Sequence, residues 1–314
     1  MALKNVIVAG ASGTIGSPIV TALLSSGKFN VSALSRPTSK ATFPAGVTIK
    51  RADLTSRESL VTALSGQDVV ICTLNDEAAQ HQGGLVEAAY EAGVKRYMPN
   101  EWASHDMTIE GTPMEEAYEG KRAVVRLLNE KVELAAKEGR EFSWTGLNTG
   151  VFFDWALYAA FLDITLPPTN SAKIWDSGNS KFTATNLSTV GRAVVTILTT
   201  AEEKTRNKQI EIESFTTTQN EIVAILEKVT GAKWNVEKTS SEQKLAAAEA
   251  NLEKGEFLEA YYIWVKAWIF SGKVGSKLVN AKDGNELLSV EAESLEDVIG
   301  KVVRGESLED VRDR

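Results

Sequence analysis

One stretch near the start of the chain, Lys4 to Gly16 (K-N-V-I-V-A-G-A-S-G-T-I-G), constrains the fold more than any other. Asn5 to Ala9 form a short apolar run of β type, glycines follow at Gly10, Gly13 and Gly16, and an amphipathic segment covers Thr14 to Ser26. The pattern predicts a strand, a tight turn and a helix. Gly10 lets the chain turn sharply out of the strand, Gly13 lets backbone N–H groups approach a pyrophosphate, and Gly16 lets helix and strand pack closely. The unpaired N–H groups and positive dipole end of that helix favour an anion. Gly10, Ala11, Ser12, Gly13, Thr14, Ile15 and Gly16 are therefore candidate dinucleotide-binding residues. The spacing G-x-x-G-x-x-G departs from the general G-x-G-x-x-G fingerprint, so the motif draws its meaning from its place between strand and helix. The plainer reading is a glycine turn without a ligand.

The same beat then repeats. Ile15, Ile19, Val20, Leu23 and Leu24 share one helical face, and Gly27 supplies a stop. Strands are expected at Phe29–Ser35, Val47–Arg51, Asp68–Leu74, Lys95–Met98 and Glu141–Gly146. Helices are expected at Ser56–Ser65, opened by the capping box Thr55-x-x-Glu58, at Glu77–Ala92 and at Pro113–Glu138. Helices that close at Gly27, Gly66, Gly93 and Gly139 before β-rich runs spell repeated βαβ units. The fold class is α/β, a Rossmann-like doubly wound and mainly parallel sheet. Beyond Asn148 the rhythm breaks. Residues 1–150 are read as the NAD(P)-binding domain and 151–314 as a smaller, mainly substrate-binding region, from which Gln209–Ile212 returns to the main sheet. Helices are expected at Leu187–Thr199, Thr218–Val229 and the aromatic-rich Glu256–Phe270, and the acidic tail is expected to fray after Val303.

Composition limits what such a chain does. A formal net charge of −8 argues against a nucleic-acid surface, which needs a basic face. No apolar run approaches the ~18 residues of a membrane span, and a first strand beginning at Asn5 leaves no room for a signal peptide. The single cysteine, Cys72, excludes an internal disulfide and lies in an apolar run, and two histidines without a Cys/His cluster make a zinc site unexpected. These features predict a cytoplasmic protein, monomer or homodimer, acting on a small molecule.

The residue at the end of the second strand distinguishes the two nicotinamide cofactors, a carboxylate suiting the ribose hydroxyl of NAD and a cation the 2′-phosphate of NADP. Here it is Arg36, in Ser35-Arg36-Pro37-Thr38-Ser39-Lys40, with no acid nearby. NADPH/NADP is favoured, with Thr38, Ser39 and Lys40 adding donors and charge. Asp53 has two open readings, an adenine contact or a turn aspartate before Thr55. Leu54, Thr73 and Leu74, beside the ends of the third and fourth strands, complete this part of the cofactor set.

Gly10-Ala11-Ser12-Gly13-Thr14-Ile15-Gly16, Leu34-Ser35-Arg36, Lys95-Arg96-Tyr97-Met98-Pro99-Asn100-Glu101-Trp102, Lys121 and Asn148-Thr149-Gly150-Val151-Phe152 together resemble the atypical short-chain dehydrogenases of the NmrA-like and isoflavone-reductase-like group, in a fungal-type form. The resemblance covers nearly the whole chain. It implies NADPH-dependent reduction of a phenolic or other aromatic small molecule, with a lysine in place of the usual tyrosine–lysine pair. It also leaves a second class open, since NmrA itself resembles a cofactor-sensing regulator. By family position Lys121 is the proton donor or acceptor. The usual Tyr-x-x-x-Lys is absent from the expected helix, where Tyr118 and Lys121 stand three apart on one face. Tyr262-x-x-x-Lys266 has the usual spacing but falls far from that helix, and is read as coincidence. Pro99-Asn100-Glu101-Trp102 resembles the family's Pro-Ser-Glu-Phe at a strand end, which implies that Asn100 faces the nicotinamide or the substrate. Glu101 has two readings, orienting Lys121 or lying at the surface. Asn148, Thr149, Gly150 and Phe152 are expected to fix the nicotinamide face. Trp102, Phe153, Tyr158 and Tyr262 are candidates for the substrate wall, Trp155 and His105 lie nearby, and core packing explains the rings equally well.

Overall fold

The computed structural model describes residues 3–103, 113–272, 278 and 280–306. The first half alternates as the periodicity predicts: β1 (Asn5–Ala9), α1 (Gly16–Ser25), β2 (Asn30–Ser35), β3 (Thr48–Arg51), α2 (Arg57–Leu64), β4 (Val69–Cys72), α3 (Asp76–Ala79), α4 (Gln82–Glu91), β5 (Arg96–Met98), α5 (Pro113–Glu138) and β6 (Ser143–Asn148). There follow β7 (Val151–Phe152), α6 (Phe153–Tyr158), β8 (Ile164–Thr165), β9 (Ser171–Trp175), β10 (Phe182–Thr185), α7 (Leu187–Ile197), β11 (Lys208–Glu211) and β12 (Phe215–Thr217). The chain continues through α8 (Gln219–Thr230), β13 (Asn235–Thr239), α9 (Ser241–Glu253), α10 (Phe257–Phe270), α11 (Ala281–Leu288) and α12 (Leu295–Arg304).

Seven strands form one parallel sheet in the order β11-β6-β5-β4-β1-β2-β3. Its central strands β1, β4, β5 and β6 are buried on both faces, so apolar residues alternate between two helical layers, while the edge strand β3 is largely exposed. Val6 and Val8 of β1 and Val69 and Ile71 of β4 pack toward Ile19 and Leu23 of α1 and Val190 and Val194 of α7. Ile7, Ala9, Val70 and Cys72 face the opposite layer, with Leu60, Leu85 and Leu128. The return of residues 208–211 to the sheet edge and the packing of α7 on α1 bring part of the second half into the three-layer body. At that contact a side chain at Gly191 would stand 2.8 Å from Ala22 Cβ and from the Pro18 carbonyl. Two small sheets, β12-β10-β7 and β13-β9-β8, and a separate aromatic core complete the chain. Among the described residues no helix is long and apolar enough to cross a membrane.

Several boundaries differ from the sequence reading for local reasons. Helix α1 begins at Gly16 rather than Thr14 because the turn holds itself, with Gly13 N–H donating to Gly10 O at 2.9 Å. Helix α2 is capped by Ser56, which accepts from the Ser59 N–H, whereas Thr55 donates to Asp53. The expected helix at Glu77–Ala92 is two: Asn75 caps a single turn that ends at Gln80, and a second helix starts after His81. The returning segment expected at Gln209–Ile212 is β11, and the chain after it joins a different sheet as β12.

Arg96 shows what a basic residue costs inside such a sheet. It is fully buried, and burial lowers its guanidinium to about 10, still a cation at neutral pH. Its nitrogens donate to Ser143 Oγ (2.8 Å), Thr145 Oγ1 (3.0 Å), Thr205 Oγ1 (3.4 Å) and Glu202 O (3.1 Å), tying β5, β6 and the segment before β11 together. Each hydroxyl passes its own proton to a main-chain carbonyl and is left to accept from the guanidinium. Arg96→Met is expected to destabilise the protein by about 3 kcal/mol in urea unfolding, because it strands buried acceptors without relieving them.

Candidate active site

The carboxyl ends of β1 to β6 converge on one cavity. In an open parallel sheet the crevice lies beyond the carboxyl ends of the strands, where the order reverses, here between β1 and β4. A cavity of about 1060 Å³ opens there, at the upper limit of the ~300–1,000 Å³ typical of small-molecule sites. Its floor is Gly10 to Ile15 after β1, one wall is Arg36 to Ser39 after β2 and Asp53 and Leu54 after β3, and the other is Thr73, Leu74 and Asn100.

The glycine turn fits a phosphate. Gly10 takes φ +83°, and a Cβ there would lie 2.3 Å from Thr73 O. At Gly16 a Cβ would lie 2.2 Å from Gly10 O, so this glycine keeps the helix N-terminus against the turn itself rather than against the strand. Gly16 accordingly lies beneath the cavity, and Gly10 to Ile15 line it. Arg36, Thr38 and Ser39 line the cavity beyond the end of β2, whereas the Lys40 side chain is exposed and does not. Asp53 accepts from Thr55 N (2.9 Å) and Thr55 Oγ1 (2.8 Å), bonds that hold its carboxyl below the usual range as the turn reading expects, and it also lines the cavity.

At the centre, Lys121 of α5 lines the cavity with its Nζ 5.2 Å from the Tyr118 ring centroid, which confirms that a spacing of three puts both on one face. Asn100 also lines it, its N–H donating to Gln82 Oε1 (2.7 Å) and its Nδ2 to Leu74 O (2.8 Å). Buried Gln82 was not visible as a site residue in the sequence. Glu101 is only 1% exposed, and its Oε1 has no hydrogen-bond partner among the described residues. Burial pushes its carboxyl up to about 7, against the pull of the nearby Lys121 ammonium. The reading of Glu101 as a surface acid is thus corrected.

Asn148 and Thr149 do not line the cavity; both are fully buried behind it. Asn148 Nδ2 donates to Glu101 O (2.6 Å), Thr149 Oγ1 donates to Trp102 O, and Gly150 N–H donates to Ala103 O (2.8 Å). They hold the segment after β5 in place, while Gly150 and Phe152 reach the cavity.

The far end is aromatic. Trp155, Phe161, Tyr261, Tyr262, Val265 and Trp268 line it, and Trp102 joins them with its indole N–H tied to Cys72 O at 2.8 Å. On α10 the lining positions 261, 262, 265, 268 and 269 follow one helical face, a signal that the sequence carried. Two expected substrate residues are absent from the cavity. Phe153 is a core residue, 0% exposed and edge-on to Phe215, and Tyr158, 45% exposed, points to solvent one turn later on α6. Lys266 is paired with Asp163, so Tyr262-x-x-x-Lys266 is not a catalytic pair. His105 lies outside the described residues. Among those described, no cluster able to hold a metal ion occurs.

Comparison with known proteins agrees with this architecture. The model of the NmrA-like family matches residues 2–262. The chain is 34% identical to oxidoreductase aprR of Aspergillus flavus over 303 residues, covering 96% of this chain and 99% of that protein. It is 32% identical to oxidoreductase poxI of Penicillium oxalicum over 298 residues, 94% of this chain and 93% of that one. Among solved structures, a leucoanthocyanidin reductase from Vitis vinifera in binary complex with NADPH superposes with a TM-score of 0.76 at 22% identity, covering 96% of this chain and 99% of that one. By its sequence and its fold, the chain belongs to the NmrA-like family.

Proposed function

We propose that this protein is an NADPH-dependent oxidoreductase that reduces an aromatic or conjugated small molecule, with Lys121 handling the proton. One observation carries the reading: a single cavity joins the glycine turn, Arg36, Lys121 and an aromatic wall without a break. The relatives named oxidoreductase and the neighbour bound to NADPH support it.

When bound, the nicotinamide cofactor supplies hydride. The chain does the rest. The turn from Gly10 to Ile15 would hold the pyrophosphate at the N-terminus of α1, and Arg36, Thr38 and Ser39 would hold the 2′-phosphate. The face of α10, with Trp155 and Phe161, excludes water and orients a flat molecule. Lys121 Nζ, half-buried beside Tyr118, is placed to give a proton to, or take one from, a substrate oxygen. Residues 1–150 would supply the cofactor half of this cavity, and segments beyond 150 most of the substrate half.

The test is to follow NADPH oxidation across a panel of aromatic carbonyl and conjugated compounds, in wild type and in Arg36→Ala. Turnover with at least one class, and loss in the variant of about tenfold in NADPH affinity relative to NADH, the value of one charge-assisted hydrogen bond, is expected. Tight NADPH binding with no turnover on any compound would instead favour a cofactor sensor.

Glu101 adds a pH signature. Its folded value near 7 exceeds the ordinary 4.5, so the folded state holds a proton that the unfolded chain releases between those limits. Stability from this group is therefore complete below about pH 4.5 and is lost as pH rises through 7, on the order of 3 kcal/mol in all. Glu101→Gln, which mimics the protonated acid, is expected to shrink the fall in urea-unfolding stability between pH 5 and pH 8. An unchanged fall would show that Glu101 titrates normally.

A further inference from the structure

The four residues that follow β2 form a built turn. Ser39 N–H donates to Arg36 O at 3.1 Å, which closes Arg36-Pro37-Thr38-Ser39 with proline at the second position, where its fixed φ is favoured. This turn would be a poor anion site by itself, because several of its carbonyl oxygens share one side. From β3, paired in register with β2 through Ser35 and Arg51, a guanidinium reaches across to that side. Arg51 Nη1 lies 3.0 Å from Arg36 O, 3.2 Å from Pro37 O and 3.3 Å from Ser39 O. Arg51 itself does not line the cavity, whereas Arg36, Thr38 and Ser39 do.

We infer that Arg51 is the positioning residue for cofactor choice: it gathers the turn's carbonyls away from the 2′-phosphate and so lets Arg36, Thr38 and Ser39 present donors to it. The inference rests on the NADPH reading above. Trans peptide units direct C=O and N–H oppositely. With the Pro37 and Ser39 carbonyls drawn to Arg51, the N–H groups of Thr38 and Lys40 point away from it. The guanidinium also offsets the partial negative charge of oxygens that would otherwise repel a dianion. A molecule lacking the 2′-phosphate makes no use of this arrangement, so the effect of Arg51 falls on NADPH and not on NADH.

Calorimetric titration of wild type and Arg51→Met with NADPH and with NADH tests this. The variant keeps the aliphatic stem. It is expected to bind NADPH about tenfold more weakly, the equivalent of one charge-assisted hydrogen bond, and NADH as wild type does. An equal loss for both dinucleotides, or no loss, overturns the inference. Should the methionine variant fail to fold, Arg51→Lys reads the same way: a single ammonium on a flexible stem cannot reproduce the planar fork, so undiminished NADPH preference overturns the proposal and a reduced preference supports it. Wild type without preference for NADPH would overturn the cofactor reading first. A selective wild type with a fully selective Arg51→Met overturns only the role of Arg51.

Discussion

Lys121→Met is expected to lower turnover by about 10²–10⁴-fold while leaving NADPH affinity nearly unchanged, the signature of a lost proton-transfer group. Methionine preserves the length and much of the packing against Tyr118 but carries no titratable proton. The position makes the substitution decisive. Lys121 lies in the cavity between the glycine turn and the aromatic wall, next to an acid whose burial keeps it from ionising until about pH 7. Without the ammonium nearby, Glu101 loses the counter-charge that opposes the effect of its burial and should stay protonated to still higher pH. Equal turnover in wild type and variant would remove Lys121 from the chemistry. A parallel loss of cofactor affinity and turnover would make it a binding group instead.

Gly10→Ala is expected to abolish dinucleotide binding and to destabilise the fold by roughly 2–4 kcal/mol, as strain at a special backbone position does. The added Cβ would meet the Thr73 carbonyl at 2.3 Å, and the φ of +83° is one that alanine avoids. Neither partner can yield cheaply. Thr73 N–H and Oγ1 both donate to Ala9 O, at 2.8 and 2.9 Å, which fixes the end of β4 against β1 at the point where the sheet order reverses. Relief would have to come from the turn, which is where the proposed function puts the pyrophosphate. Thermal unfolding together with NADPH titration measures both effects. Binding at wild-type strength would show that the geometry of the turn is not what holds the cofactor.

The sheet was legible because its central strands β1, β4, β5 and β6 are buried along nearly their whole length and each is bounded by a glycine, so apolar runs and breakers coincide. The ends of β1, β2 and β3 followed from the same rhythm. The substrate half was less legible, since Phe153, Trp155 and Tyr158 are spaced so closely on a short helix that one ring enters the core, one the cavity and one the solvent. Nothing in their letters orders them. The partners that act from behind are also hidden: Gln82 on Asn100, Asn148 and Thr149 on the segment after β5, and Arg51 on the turn after β2 meet their targets only through tertiary contacts. Lys40 was read as a phosphate ligand by proximity in sequence, and its side chain is exposed and outside the cavity lining.

The most direct measurement is calorimetric titration of the wild-type protein with NADPH, NADP⁺, NADH and NAD⁺ at one ionic strength. The account predicts tight binding of the phosphorylated pair and clearly weaker binding of the other two, because Arg36, Thr38 and Ser39 line the adenosine end and no carboxylate stands at the end of β2. Failure to bind any dinucleotide would mean that the glycine turn is only a turn, and the oxidoreductase reading would fall with it.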